Sequence, residues 1–481
     1  MRAITWSGMS ETAQRWGKFP ISPVSNFHKL RPAKVSRSAI PAPPVSVSVL
    51  MKSICISLLL FLTIVSVSCR SHSGPLADTR YTDSLCKSYK PSSLEKLVSA
   101  DLDFWQSRLN TSPGSFTAGS RLAGCLVQRF HLYGHIADLR RADSLLSALS
   151  AASNGNEAGL LRAMASLSIT RHCFRQADSL VSRALAIGTE KYTSTLLQFD
   201  TRFELGETIP ASRALLSCSA TNEYGFFFRL AKWKHLQGET DSAAFYLGKA
   251  LEWAGSSSLL RQSALSNIAD LYMHEGRMEE AAPLYRQSLA IDASDWRSLQ
   301  GLGRIALLHD GNSELAEKIF RFIAGRNELP DACYNLIWLA EQKKDSAATR
   351  LAAAAFAKKA EADCYGGMYR KYLVECYTGV LNDPSRALQL AAAELQNRAT
   401  PQTYSWYAWC LYKTGEYDKA LAIYKAHVSG KPLEALELYW MGKMMQGMKK
   451  PYNAQEFFHA ANRNRYDLSP SKQSDLLSLI N

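Results

Sequence analysis

The 481-residue chain has no Cys-x-x-Cys pair, no Gly-x-x-x-x-Gly-Lys-Ser/Thr, no His-Glu-x-x-His and no Gly-x-Ser-x-Gly. A zinc ribbon, a phosphate-cradling loop, a zinc hydrolase and a serine-hydrolase elbow are thereby left without their residues. The period-2 alternation of a half-buried strand is also missing, so nothing suggests a sheet. Two histidines, His131 and His135, stand at a helical metal-ligand spacing, but Gly134 between them marks a helix end and makes them turn or surface residues. His172 beside Cys173 is a weaker pair still. The acids Asp143, Glu279 and Glu280 look like solvated helix starts favoured by the macrodipole. No enzyme chemistry, metal or cofactor is expected from this residue set.

Charge excess is small where it matters. Of the net +13, +7 lies in residues 1–68, which carry eight basic residues against Glu11 alone, so the rest of the chain is only +6. That is no nucleic-acid footprint. Of the ten cysteines, Cys55 lies within an apolar stretch and Cys69 just after it. The other eight (Cys86, Cys125, Cys173, Cys218, Cys333, Cys364, Cys376 and Cys410) are scattered and read as small core residues, with room for one or two bridges in an oxidising compartment.

What the chain does have is a recurring sentence: Gly238-Glu-Thr-Asp-Ser-Ala243, Gly276-Arg-Met-Glu-Glu-Ala281 and Gly415-Glu-Tyr-Asp-Lys-Ala420. In each, a glycine able to end one helix in the left-handed conformation is followed by a small residue that opens the next helix and lets the two pack closely. The alanine recurs as Ala142, Ala177, Ala211, Ala243, Ala281, Ala316, Ala387, Ala420 and Ala454. The doubled step after Ala316 predicts a degenerate hairpin around Tyr334 to Ala357. Arg141–Leu145 and Gln176–Leu180 repeat in wording as well as spacing.

Three units carry large anchors in one register: Leu265, Ile268, Ala269, Tyr272, Ala281 and Tyr285; Tyr404, Tyr407, Ala408, Leu411, Ala420, Tyr424 and Pro432; and Leu438, Met441, Gly442, Met445, Ala454 and Phe458. Gly303 and Phe320 continue the first of them. On these residues the chain resembles the tetratricopeptide-repeat family, whose period is roughly 34 residues. The resemblance implies an all-α, right-handed superhelical solenoid of helix-turn-helix hairpins over residues 96–481, stabilised by stacking rather than by one growing core. Ser469–Ile480 reads as a last helix, with Ser469 or Ser471 as cap and Leu476, Leu477 and Ile480 covering the open end.

In the resembled family the first helix of each hairpin lines an inner groove. The resemblance places Trp409, Tyr412, Lys413, Tyr439, Lys443, Arg297 and Arg304 on that wall. Such an aromatic and basic strip suits an extended peptide with acidic residues. Trp409 and Tyr412 could equally pack against the neighbouring hairpin. The basic clamp by which some members grip a terminal carboxylate is not recognisable, since Ser405 and Trp409 stand in its key places.

At the other end, Met51-Lys-Ser, the apolar run Ile54–Val67 and Ser68-Cys69 have the form of a secretory signal over residues 51–68. The run is shorter than the ~20 residues of a membrane span. It resembles a bacterial lipoprotein signal, which implies lipidation at Cys69, with residues 69–95 as a linker. Plain secretion with cleavage at the small residues Ser66 and Ser68 is the alternative. Residues 1–50, basic and without helical periodicity, read as an upstream start that is not the true one; a transit peptide is the second reading. The combined expectation is a non-enzymatic protein–protein interaction scaffold anchored by lipid in a bacterial cell envelope. Its partner is a protein or peptide, not nucleic acid. The alternative is a glycan-binding surface lipoprotein of the starch-utilisation type, but those carry long insertions and the spacing here is nearly unbroken.

Overall fold

The computed structural model describes residues 74–91, 93–220, 223–362, 365–448 and 452–480. Residues 1–50, the signal 51–68, Cys69 and Cys364 lie outside the described residues. Within them every regular element is helical, with twenty-three α-helices. Two helices come first, α1 (Thr79–Ser88) and α2 (Ser93–Thr111). Hairpins follow as α3 (Phe116–Tyr133) with α4 (Ile136–Ala152), α5 (Ala158–Thr170) with α6 (Phe174–Ile187), α7 (Lys191–Glu204) with α8 (Thr208–Ser217), and α9 (Tyr224–Leu236) with α10 (Thr240–Trp253). The array continues through α11 (Ser258–His274) with α12 (Met278–Ile291), α13 (Trp296–Leu308) with α14 (Ser313–Ala324), and α15 (Asp331–Gln342) with α16 (Ser346–Ala360). It ends with α17 (Arg370–Thr378) and α18 (Pro384–Asn397), α19 (Pro401–Lys413) and α20 (Tyr417–Ile423), α21 (Ala435–Met448) and α22 (Ala454–Arg463), then α23 (Pro470–Ile480).

The hairpins close over the alanines the repeat picks out. Ala142, Ala177, Ala211, Ala243, Ala281, Ala316, Ala387 and Ala420 are all 0% exposed. Opposite them, glycines on first helices make room for aromatic rings. A Cβ on Gly303 would lie 2.6 Å from Phe320, and one on Gly442 2.5 Å from Phe458. Ala454 departs from the series and is only half-buried. α22 begins at Ala454 itself, whereas α10, α12 and α20 begin three residues before their alanine.

The turns are built as expected. Gly238, Gly276 and Gly415 have φ of 78°, 76° and 86°. The next N–H donates back across the turn, from Glu239 to the Lys234 carbonyl at 3.0 Å, from Arg277 to Tyr272 at 2.8 Å and from Glu416 to Leu411 at 2.8 Å. The same bond closes α5 at Cys173 (2.8 Å) and α15 at Asp345 (3.0 Å), but there the left-handed residue is His172 (φ 55°) or Lys344 (φ 56°). The degenerate hairpin is thus α15–α16; its buried alanine is Ala353, and its turn lacks the glycine that makes the others readable.

Three expectations meet a different arrangement. Part of the linker 69–95 is the helix α1, which docks on the array: Leu76 and Ala77 N–H donate to the Asp310 carboxylate at 3.0 and 2.8 Å, and Tyr89 stacks near Trp296 at 5.5 Å. Asp143 is no helix start; it lies within α4 and pairs with Arg171 at 3.2 Å. In α23, Leu476 is buried, but Leu477 is 40% exposed because the helix turns its other side inward.

The solenoid also touches itself. The turn after α3 meets the segment before α15, where Glu328 N–H donates to the Tyr133 carbonyl at 2.7 Å and His135 pairs with Glu328 at 2.9 Å. Arg398 reaches Glu204 at 3.1 Å, and His274 reaches Asp467 at 2.5 Å. These partners lie 193–195 positions apart, about six hairpins of the ~34-residue repeat. Among the described residues no helix is long and apolar enough to cross a membrane.

A Cβ at Gly276 would sit 2.6 Å from the Tyr466 ring, in a backbone conformation that L-residues disfavour. Gly276→Ala is therefore expected to cost on the order of 2 kcal/mol in chemical denaturation. Lys344→Gly, which relieves the same conformation in an exposed turn, should stabilise by roughly 0.5 kcal/mol. Equal effects of the two changes would refute this account of the turns.

Candidate binding groove

The first helices of successive hairpins are joined by polar rungs. Arg229 on α9 pairs with Asp200 on α7 at 2.6 Å, and Lys232 with Glu204 at 2.7 Å. His235 on α9 meets His274 on α11 with ring centroids 5.2 Å apart. Arg297 on α13 binds Asp270 and Asn267 on α11, at 2.5 and 3.0 Å. Arg304, also on α13, donates to Asn335 on α15 at 3.0 Å and lies 4.9 Å from the Trp338 ring centroid. Tyr334 on α15 bonds Glu375 on α17. Trp409 Nε1 on α19 donates to Thr378 Oγ1 on α17 at 3.0 Å, and Trp406 Nε1 donates to Glu437 on α21 at 2.8 Å.

One side chain ties first helices that are not neighbours in the array. Lys371 on α17 reaches past α19 to Glu437 on α21 at 2.8 Å, and to Glu434 just before α21 at 2.7 Å. Burial alone would lower the Lys371 ammonium; Glu434 and Glu437 hold it above its ordinary value instead. Glu434 is correspondingly held well below the usual carboxylate range by Lys371, against the opposing effect of burial. Such a pair stays ionised at neutral pH and fixes the spacing of α17 and α21.

The residues expected on the groove wall fall into two sets. Trp409 is 8% exposed, stacked on Trp440 at 6.0 Å and on Tyr412 at 5.5 Å. Arg297 and Arg304 are half-buried and engaged in rungs. Tyr439 is buried and Lys443 half-buried, and both hold Asp475 of α23, at 2.6 and 3.1 Å. Lys413 is exposed, 5.6 Å from the Trp409 ring centroid, and Tyr412 is half-buried. Sequence reasoning did not single out Lys371, Glu375, Glu434, Glu437 or Asn335. Their signal was a charged or amide residue in an otherwise apolar first helix, which by itself does not say inward or outward.

Seven cysteines within the described residues form no disulfide. No group of three His, Cys, Asp or Glu side chains there is placed to hold a metal ion.

Residues 264–295 match the family model described as Tetratricopeptide repeat. No curated protein matches the chain. Among solved structures, a tetratricopeptide repeat protein from Parabacteroides merdae is 15% identical, over 53% of this chain and 98% of its own, at a TM-score of 0.32. The human IFIT1 dimer with PPP-AAAA is 14% identical, over 67% and 76%, at 0.44. Yeast Tom70 is 12% identical, over 83% and 95%, at 0.37. Likenesses this distant bring neither fold detail nor function to the chain.

Two outcomes test the ladder. Trp409→Ala removes a buried indole together with its hydrogen bond to Thr378, so stability should fall by about 3–5 kcal/mol in a denaturant titration. A shift under 1 kcal/mol would mean the ring is not a packing element. Burial, with His274 beside it, holds His235 down to about 4, below the ordinary 6.5. The unfolded chain then binds a proton the folded chain refuses, so this residue makes stability fall as pH drops from about 6.5 to about 4. His274 works in the opposite sense. Burial alone would lower it, but Asp467 raises it above 6.5, so its contribution is full below about 6.5 and lost as pH climbs through the raised value. His235→Asn should flatten the acid side of a Tm–pH profile; an unchanged slope counts against the assignment.

The glycine turns, the alanines buried at one register and the family match at 264–295 agree: among the described residues the chain is an all-helical array of sequential hairpins with a tetratricopeptide-like fold, and residues 264–295 match one such repeat.

Proposed function

We propose that the protein is a non-enzymatic scaffold that binds a peptide or protein with acidic residues along its concave wall. The observation that carries this reading is accessible charge and ring surface on a first helix: Lys413 of α19 is exposed, 5.6 Å from the Trp409 ring centroid, with the half-buried Tyr412 stacked on the same indole. A cation beside aromatic surface suits a carboxylate-bearing peptide. Short connections between the described helices leave no long insertion of the kind a glycan-binding surface lipoprotein uses, so the protein partner is preferred.

The site of action in this proposal is the bacterial envelope, with the chain tethered through lipid on Cys69. The support is the signal-like segment 51–68 and the small residues before the cysteine. Mass spectrometry of the native N-terminus should find an acylated Cys69. Peptides from residues 1–50 in that sample would end both the start-site and the anchor reading.

For the partner, the protein beginning at Ser71 is incubated with envelope extract and cross-linked. Cross-links should map to Lys413 and Lys443, and Lys413→Glu should weaken capture about tenfold, some 1.4 kcal/mol. Cross-links confined to second helices would place binding elsewhere.

A further inference from the structure

The groove already has an occupant. α23 does not merely close the last hairpin; it crosses the inner ends of several first helices. Ser471 N–H donates to Glu341 on α15 at 3.3 Å. Lys472 pairs with Glu375 on α17 at 2.7 Å. Asp475 accepts from Tyr439 and Lys443 on α21. Gln455 on α22 donates to the Leu479 carbonyl at 2.8 Å. Lys472, Asp475, Leu476, Leu479 and Ile480 recur at the spacing of one helical face, and that face is the one turned inward.

The fit is good but thinly held. Within α23 only Pro470 and Leu476 are buried, and Leu477 is 40% exposed. By contrast, α21 buries nine of its fourteen residues. A terminal helix held mainly by five polar contacts and two buried side chains belongs to the part of a fold that opens first. Opening it frees Tyr439 and Lys443 and leaves the buried Glu375 without Lys472. The vacated surface then asks for one kind of ligand: an amphipathic helix with a carboxylate where Asp475 lies, an apolar residue beside it and a cation one turn earlier.

We infer that α23 is an internal stand-in for the partner, and that the surface spanning α15, α17 and α21 receives an amphipathic helix carrying a carboxylate, with a cation one turn before it, when α23 swings away. This rests on the scaffold reading and names the chemistry of its ligand.

The test uses the full chain and a fluorescein-labelled peptide with the sequence of residues 468–481. Leu476→Asp places a carboxylate in the buried leucine position and detaches α23 while leaving the first helices intact. The peptide should bind this variant at least tenfold more tightly than the unaltered chain. Adding Lys443→Glu, or reversing the peptide's own acid with Asp475→Lys, should return binding to the unaltered level. In the unaltered chain, hydrogen exchange should run faster in α23 than in α21. Equal peptide binding by the two chains overturns the inference, as does exchange in α23 as slow as in α21. If Leu476→Asp costs the fold, seen as lost helical circular dichroism, the exchange comparison in the unaltered chain alone decides. A dimer of the unaltered chain that Leu476→Asp converts to monomer would also overturn it, since α23 would then be traded between copies. Peptide failure with cross-links to Lys413 retained sinks only the stand-in helix; loss of both sinks the scaffold reading as well.

Discussion

A helical hairpin of some thirty residues cannot bury enough apolar surface to stand alone, and its two helices must come close for stacking to compensate. Here that approach depends on one side-chain size at one place. A methyl group at Ala243, Ala281 or Ala420, wholly shut from solvent, sets the distance between the two helices of each pair. On the opposite helix Gly303 and Gly442 leave no room even for a Cβ against Phe320 and Phe458. Larger residues at these points would spread the hairpins and with them the rungs that span the first helices, because each rung is only one hydrogen bond long.

The polar ladder turns that spacing into a surface. Charged and amide groups would be expensive along the inner wall if left unmatched. Most are matched, each to the next first helix or, through Lys371, to the next but one. Asn335 Nδ2 and Trp338 Nε1 are among the exceptions, buried on α15 without an acceptor among the described residues.

The self-contacts between residues nearly two hundred positions apart add a second constraint. Arg398 with Glu204, and His274 with Asp467, tie late segments to early ones. Repeat arrays of this kind are usually stabilised by neighbours alone. Here the loss of a contact such as Tyr466 against Gly276 reaches hairpins remote in sequence, which makes the protein less one-dimensional than its repeat suggests.

The sequence by itself determined the hairpins, because their signals are local. A glycine that takes positive φ and an alanine five residues on act within one turn, and no distant residue is needed to read them. Where the turn uses Lys344 or His172 instead, the same hydrogen bond forms but the letter is gone, so α15–α16 could be placed only by counting the gap. The inner wall was legible as a list of residues and not as a state. Whether Trp409 offers its ring to a partner or spends it on Thr378 and Trp440, and whether Lys443 is free or holds Asp475, depends on groups some thirty positions away or more. Only the stacked array brings those groups within hydrogen-bond reach, so only the tertiary structure decided them.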